Sequence, residues 1–119
     1  MRNMSFSLTT PQYRARLKLV TRRLGWADLT PGEKFMGVVK GMGLRKGEKV
    51  ERIHAATCVS NTPETLKRMI WDQAYGKREV ILEGFPELTP RQFVEMFCKH
   101  NRCAPEATVQ RIAFVHHSA

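Results

Sequence analysis

A chain of 119 residues holds one hydrophobic core but not two ordinary domains, and 42% hydrophobic with 26% charged residues is a globular rather than a disordered composition, so residues 1–119 are expected to form a single domain. The 20 Lys+Arg against 11 Asp+Glu leave a formal net charge of +9, which favours polyanionic partners, nucleic acid first among them. No window approaches the about 18 consecutive apolar residues of a membrane span, the start Met1-Arg2-Asn3 carries no apolar secretory core, and the odd set Cys58, Cys98 and Cys103 fits reduced thiols, which together predict a cytoplasmic chain with no membrane contact.

Phe6 and Leu8 alternate with serines and predict a first short strand. Thr10-Pro11 then places a hydroxyl at an N-cap and proline at the first helical position, with Tyr13, Leu17, Val20 and Leu24 at helical spacing behind it. The first 27 residues hold Arg2, Arg14, Arg16, Lys18, Arg22 and Arg23 and no carboxylate, so the basic field is concentrated there. The turn Pro31-Gly32-Glu33 leads into a strand from Phe35 to Val39, and the turn Lys46-Gly47-Glu48 into one from Val50 to Val59. Gly41-Met42-Gly43 and Tyr75-Gly76-Lys77-Arg78 are expected to be loops, and neither matches a phosphate-cradling motif.

Thr62-Pro63 predicts a second helix with Leu66, Met69 and Ile70 on its apolar face, and Thr89-Pro90 a third with Phe93, Met96 and Phe97. These stripes are assigned to the core. Cys98, His100 and Cys103 at the end of the third helix lack a standard zinc spacing, and no metal is assigned to them. Val109 to Val115 alternates apolar and polar residues as a closing strand, and His116 and His117 are expected in a disordered tail. Strands interrupted by three short helices, without βαβ alternation, give an α+β class built on a small curled sheet or barrel.

Lys18 and Thr21 stand three residues apart and share a face if the first helix runs that far. Lys18-Leu-Val-Thr21-Arg22-Arg23, followed by Pro31-Gly32-Glu33, resembles the signature of ASCH domains, Gly-x-Lys-x-x-Thr-x-Arg and a Pro-Gly-acidic turn. Glu83-Gly84-Phe85 resembles the second conserved element of that family, and the likeness runs from about Ser5 to Phe114. The resemblance implies a PUA-like β-barrel with about three flanking helices and a cleft at the barrel mouth. Some small bacterial members act as amidohydrolases on N4-acetylcytidine and related N4-acylcytosine compounds through a lysine, a threonine and a glutamate. Those three map onto Lys18, Thr21 and Glu83, and the family arginine maps onto Arg23. The glycine that usually stands two residues before the lysine is Arg16 here, which implies a narrower or redirected approach to the cleft.

The implied ligand is a modified cytidine nucleoside or base, with RNA as a further partner and no cofactor. Opening an exocyclic amide needs a nucleophile, a group to stabilise the oxyanion and an acid for the departing amine. Thr21 can attack if Lys18 has a lowered pKa, with Arg16, Arg22 and Arg23 as the cations that could lower it. Glu83 can orient the lysine or deliver the proton, or instead serve as base for a water while Thr21 only holds the substrate. Among the aromatics Trp26, Phe35, Trp71 and Phe85, at most one is expected to stack on a base; Trp26 and Phe85, with Arg16 and Arg23, are the candidates for substrate contact. Two other functions fit the same residues: an RNA-binding module in which Lys18 and Arg23 contact phosphates, and a ribonuclease using Lys18 and Glu83.

Overall fold

A computed structural model describes residues 1–41 and 43–118 of the chain. The order is β1 (Arg2–Ser5), α1 (Thr10–Arg14), β2 (Val20–Arg23), β3 (Lys34–Val38), β4 (Arg52–Thr65), α2 (Arg68–Trp71), α3 (Gln73–Leu82), α4 (Pro90–Asn101) and β5 (Thr108–His116). The class is α+β as expected, with four helices rather than three among the described residues.

The strands form one sheet in the order β1-β3-β4-β5-β2. The β1–β3 pair is parallel and the others are antiparallel. The sheet curls into a half-barrel rather than a closed barrel, because its edges β1 and β2 do not pair with each other among the described residues. The two edges nonetheless face across a seam: the Arg23 guanidinium at the end of β2 lies 4.7 Å above the ring of Phe6, just past β1.

The 14-residue β4 carries the curl. Its register shifts between Cys58 and Ser60, a bulge that bends the strand so that one half pairs with β3 and the other runs on along β5. Thr62-Pro63 does not start a helix but lies in this second half, opposite Arg111 and Gln110. Beyond Thr57 no β3 residue pairs with β4, and such an open edge is where a proline lacking its N–H is tolerated in a sheet. The Thr-rich, β-branched sequence around it favours the strand over the helix that Thr-Pro alone suggests.

Strand alternation sorts the core into two. On β5, Ile112 and Phe114 face the hollow of the sheet with Met4, Phe6 and Tyr13, whereas Val109 joins Leu66, Met69, Val80 and Val94 beneath the helices. Tyr13, the buried residue of α1, plugs the hollow, and Gly37 on β3 leaves the space its ring fills, since a Cβ there would overlap the ring. The Tyr75–Arg78 segment belongs to α3 and is not a loop. Of Gly41–Gly43, Met42 lies outside the described residues. His116 and His117 are not a loose tail: His116 ends β5, and His117 donates its backbone N–H to the Ala55 carbonyl at 2.9 Å.

Candidate active site

The first helix does not reach Lys18. It ends at Arg14, and Arg16 takes a left-handed conformation with φ of 62°, so the chain turns and Lys18 enters β2 from a loop. The backbone N–H groups of Leu17 and Lys18 both donate to the Gln12 carbonyl, and that of Leu19 donates to the Leu82 carbonyl at 2.7 Å. This last bond ties the entry of β2 to the end of α3, one residue before Glu83. Gly84, with φ of 95°, then turns the chain away, and its missing side chain leaves room for Gln12 and Lys18 to pack against it.

Lys18 and Glu83, sixty-five residues apart, therefore meet, only 2% and 1% exposed. The Lys18 ammonium donates to Glu83 Oε1 at 2.5 Å and to the Glu83 carbonyl at 3.1 Å. Glu83 Oε2 accepts from Arg22 Nη1 at 2.9 Å. Alternation along β2 sends Arg22 towards the helices and Thr21 and Arg23 into the hollow. On the helical side Arg22 Nη2 also donates to Glu79 at 2.7 Å, Glu64 at 2.8 Å and the Tyr75 hydroxyl at 3.1 Å, and Arg111 donates to Glu79 at 2.6 Å. Lys18, Arg22 and Arg111 thus face Glu64, Glu79 and Glu83 in a largely buried network, which Arg68 joins from its exposed edge at 3.7 Å from Glu64. In the hollow, Arg23 Nε donates to Thr21 Oγ1 at 3.1 Å, and Thr21 is 3% exposed.

Burial lowers the pKa of Lys18, against the pull of Glu83, and Arg23 and Arg22 push in the same direction as burial. Burial also works against the charge of Arg22, but Glu83, Glu64 and Glu79 outweigh it and the guanidinium is held more firmly charged than usual. Desolvation, only partly offset by Glu83, lowers Arg23 to about 10, which leaves it a cation at neutral pH.

These groups open onto a cavity of about 460 Å³ in the seam between the sheet edges, a size that suits a small organic ligand. One wall is the stretch Ser5–Thr9, the other is Lys18 with Thr21–Arg23, Glu83 lies at the back, and Phe93 and Phe97 of α4 form an apolar side. Four of the residues marked by the sequence, Lys18, Thr21, Glu83 and Arg23, are brought together here. The other three are not. Arg16 points its Nη2 to the His117 carbonyl at 2.9 Å, Trp26 sits under the Arg2 guanidinium at 4.5 Å, and Phe85 is buried against Phe93 beneath the helices. Arg16 is not among the residues that line the cavity.

Sequence reasoning assigned Phe93 and Phe97 only to core, and passed over Phe6 as a lining ring and Lys40 altogether. An apolar stripe on a helix does not reveal that one end of it borders a cavity. Among the described residues no three His, Cys, Asp or Glu side chains are placed to hold a metal, and the free thiol of Cys103 donates to Cys98 Sγ at 3.9 Å with no disulfide between them. No helix among the described residues is long and apolar enough to cross a membrane.

No family model matches the chain, and no curated protein matches it. Among solved structures it is similar to protein EF3133 from Enterococcus faecalis V583, described under the family model DUF984, with a TM-score of 0.57 and 11% sequence identity over 98% of this chain and 76% of that one. At that identity the likeness concerns the fold alone.

Proposed function

We propose that the chain is a PUA-like domain of the ASCH type whose seam cavity hydrolyses the amide of N4-acylated cytosine nucleosides. The observation that carries the reading is the buried Lys18–Glu83 pair, its lysine pKa lowered, opening onto the same cavity as the Thr21 hydroxyl. A buried lysine with a depressed pKa is the form of that side chain able to act as a base near neutrality.

In the proposed steps Lys18 and Thr21, which line the same cavity, are brought into contact by the bound substrate. Lys18 as the free amine takes the Thr21 proton while Thr21 Oγ bonds to the acyl carbon and the carbonyl pair moves onto the acyl oxygen; Arg23 Nε, 3.1 Å from Oγ, holds the hydroxyl oxygen in place for the attack. The C–N4 bond breaks as the Lys18 ammonium returns the proton to the leaving nitrogen, giving the amine and an acyl ester on Thr21. Water then adds to the ester as Lys18 takes a proton from it, and the acyl C–Oγ bond breaks as Lys18 passes that proton to Thr21 Oγ, releasing the carboxylic acid. Both oxygens of Glu83 accept hydrogen bonds from cations, which suits it to orienting Lys18 rather than to delivering a proton.

The test is a panel of N4-acylcytidines of increasing acyl size, incubated with wild type and with Lys18→Ala, Thr21→Ala and Glu83→Ala, with folding followed by circular dichroism. Each variant is expected to lose about 10²-fold or more in turnover while staying folded. Loss with only one of the three refutes the triad. Tight, salt-sensitive RNA binding with no hydrolysis of any acylcytidine favours the RNA-binding module, a reading that rests on the net charge of +9.

A further inference from the structure

The cations around the cavity divide into those with carboxylate partners and those without. Lys18 has Glu83, and Arg22 has Glu64, Glu79 and Glu83. Arg23 has none among the described residues. Its single hydrogen bond is through Nε to Thr21, and its two Nη groups are neither paired nor sealed off in the interior. A guanidinium that burial has already pushed down to about 10 gains most from an anion brought to those free donors.

The neighbouring wall has the same character. Ser5, Ser7 and Thr9 line the cavity with hydroxyls that make no hydrogen bond within the described residues, and Lys40 reaches it from the end of β3, held only by a loose 3.9 Å pairing with Glu48. Glu83 is the sole carboxylate among the lining residues, and Lys18 and Arg22 already occupy it. A fork of two N–H groups, nearby hydroxyl donors, a second cation and no free carboxylate form a site for a tetrahedral oxyanion.

We infer that the Arg23 Nη groups, with Lys40 and the Ser5–Thr9 hydroxyls, form a phosphate subsite, so that the cavity takes a phosphate-bearing cytosine nucleotide in preference to the free nucleoside. The identity of the base rests on the hydrolase reading, whereas the subsite is tested by binding alone. The phosphate can be the terminal group of a mononucleotide or a diester in RNA, and both present the same oxygens to Arg23. Thr21 and Arg23 Nε keep their part in the chemistry, since only the outer edge of the guanidinium is used.

The experiment is calorimetric titration of the wild-type chain with cytidine, cytidine 5′-monophosphate, the dinucleotide cytidylyl-cytidine and inorganic phosphate. Cytidine 5′-monophosphate or the dinucleotide is expected to bind at least about tenfold more tightly than cytidine, the gain of one charge-assisted bidentate contact, and the tighter of the two identifies the source of the phosphate. In Arg23→Gln the preference, read as the ratio of the affinity for the phosphate-bearing ligand to that for cytidine, is expected to vanish. In Lys40→Gln, a substitution at an exposed side chain that leaves the fold alone, it is expected to shrink several-fold, so the proposal stays testable if Arg23→Gln does not fold. Equal affinities for cytidine and both phosphate-bearing ligands, or a preference unchanged in both variants, overturns it. A phosphate preference in a protein that leaves every acylcytidine intact keeps the subsite and discards the hydrolase.

Discussion

Arg22 shows what one side chain contributes to both fold and site. It is buried and donates to Glu64, Glu79, Glu83 and the Tyr75 hydroxyl, so it fixes the carboxylate that in turn orients Lys18. Removing one partner of a buried ionic network leaves the others uncompensated, and Arg22→Leu is expected to lose about 3–5 kcal/mol of stability in a denaturant melt. Arg22→Lys is expected to recover only part of the loss, because an ammonium cannot span three carboxylates with one planar fork.

Behind Lys18 stands a pair of imidazoles. His116 Nε2 lies 2.6 Å from the Lys18 carbonyl and so carries the proton, which leaves its Nδ1 to accept from His54 Nε2 at 2.7 Å. Burial, then Arg16, His116, His117 and Arg14, lower the His54 pKa from 6.5 to about 4, and burial also lowers that of His116 against the opposing pull of the Lys18 carbonyl. The unfolded chain therefore binds more protons than the folded one between those limits. Stability from these groups is complete above about 6.5 and is lost as the pH falls towards about 4. The melting temperature is expected to drop across that window, and His54→Phe, which keeps a ring against Tyr13, is expected to flatten the drop.

At the scale of elements, the site depends on β2 being a strand. Tyr13, Leu17, Val20 and Leu24 mimic a helical stripe, yet Leu17 and Leu24 are 63% and 48% exposed and Arg16 breaks the helix at once. Lys18 and Thr21 were legible as a pair only through the family resemblance. Their real relation, a loop residue and an inward strand residue, comes from the Leu19–Leu82 backbone bond, which no local pattern encodes. The third helix was legible because its signal is complete: Thr89 caps Gln92 N–H and the Gln92 side chain caps Thr89 N–H, a reciprocal box that Thr62 lacks. Thr89→Ala is expected to cost about 1 kcal/mol, read as a shift in the unfolding midpoint. Since α4 also carries Phe93 and Phe97 into the cavity, the same variant is expected to weaken ligand binding modestly.

At the scale of the molecule, the decisive feature is that the sheet curls without closing. A closed barrel would pair β1 with β2 and fill the space that holds Thr21 and Arg23; the open seam leaves a cavity there, with α3 and α4 at its back and side. The class and the basic N-terminal segment could be read from the sequence, but the seam could not, because it depends on the bulge in β4 and on which edges fail to meet. The central claim is that Lys18, buried beside Glu83, is the base that activates Thr21. It is tested most directly by the pH dependence of kcat/KM for N4-acetylcytidine. Wild type is predicted to gain activity through a pKa below the ordinary lysine value of 10.5, with that limb and the activity lost in Lys18→Ala. An unchanged profile and rate in Lys18→Ala would contradict the account.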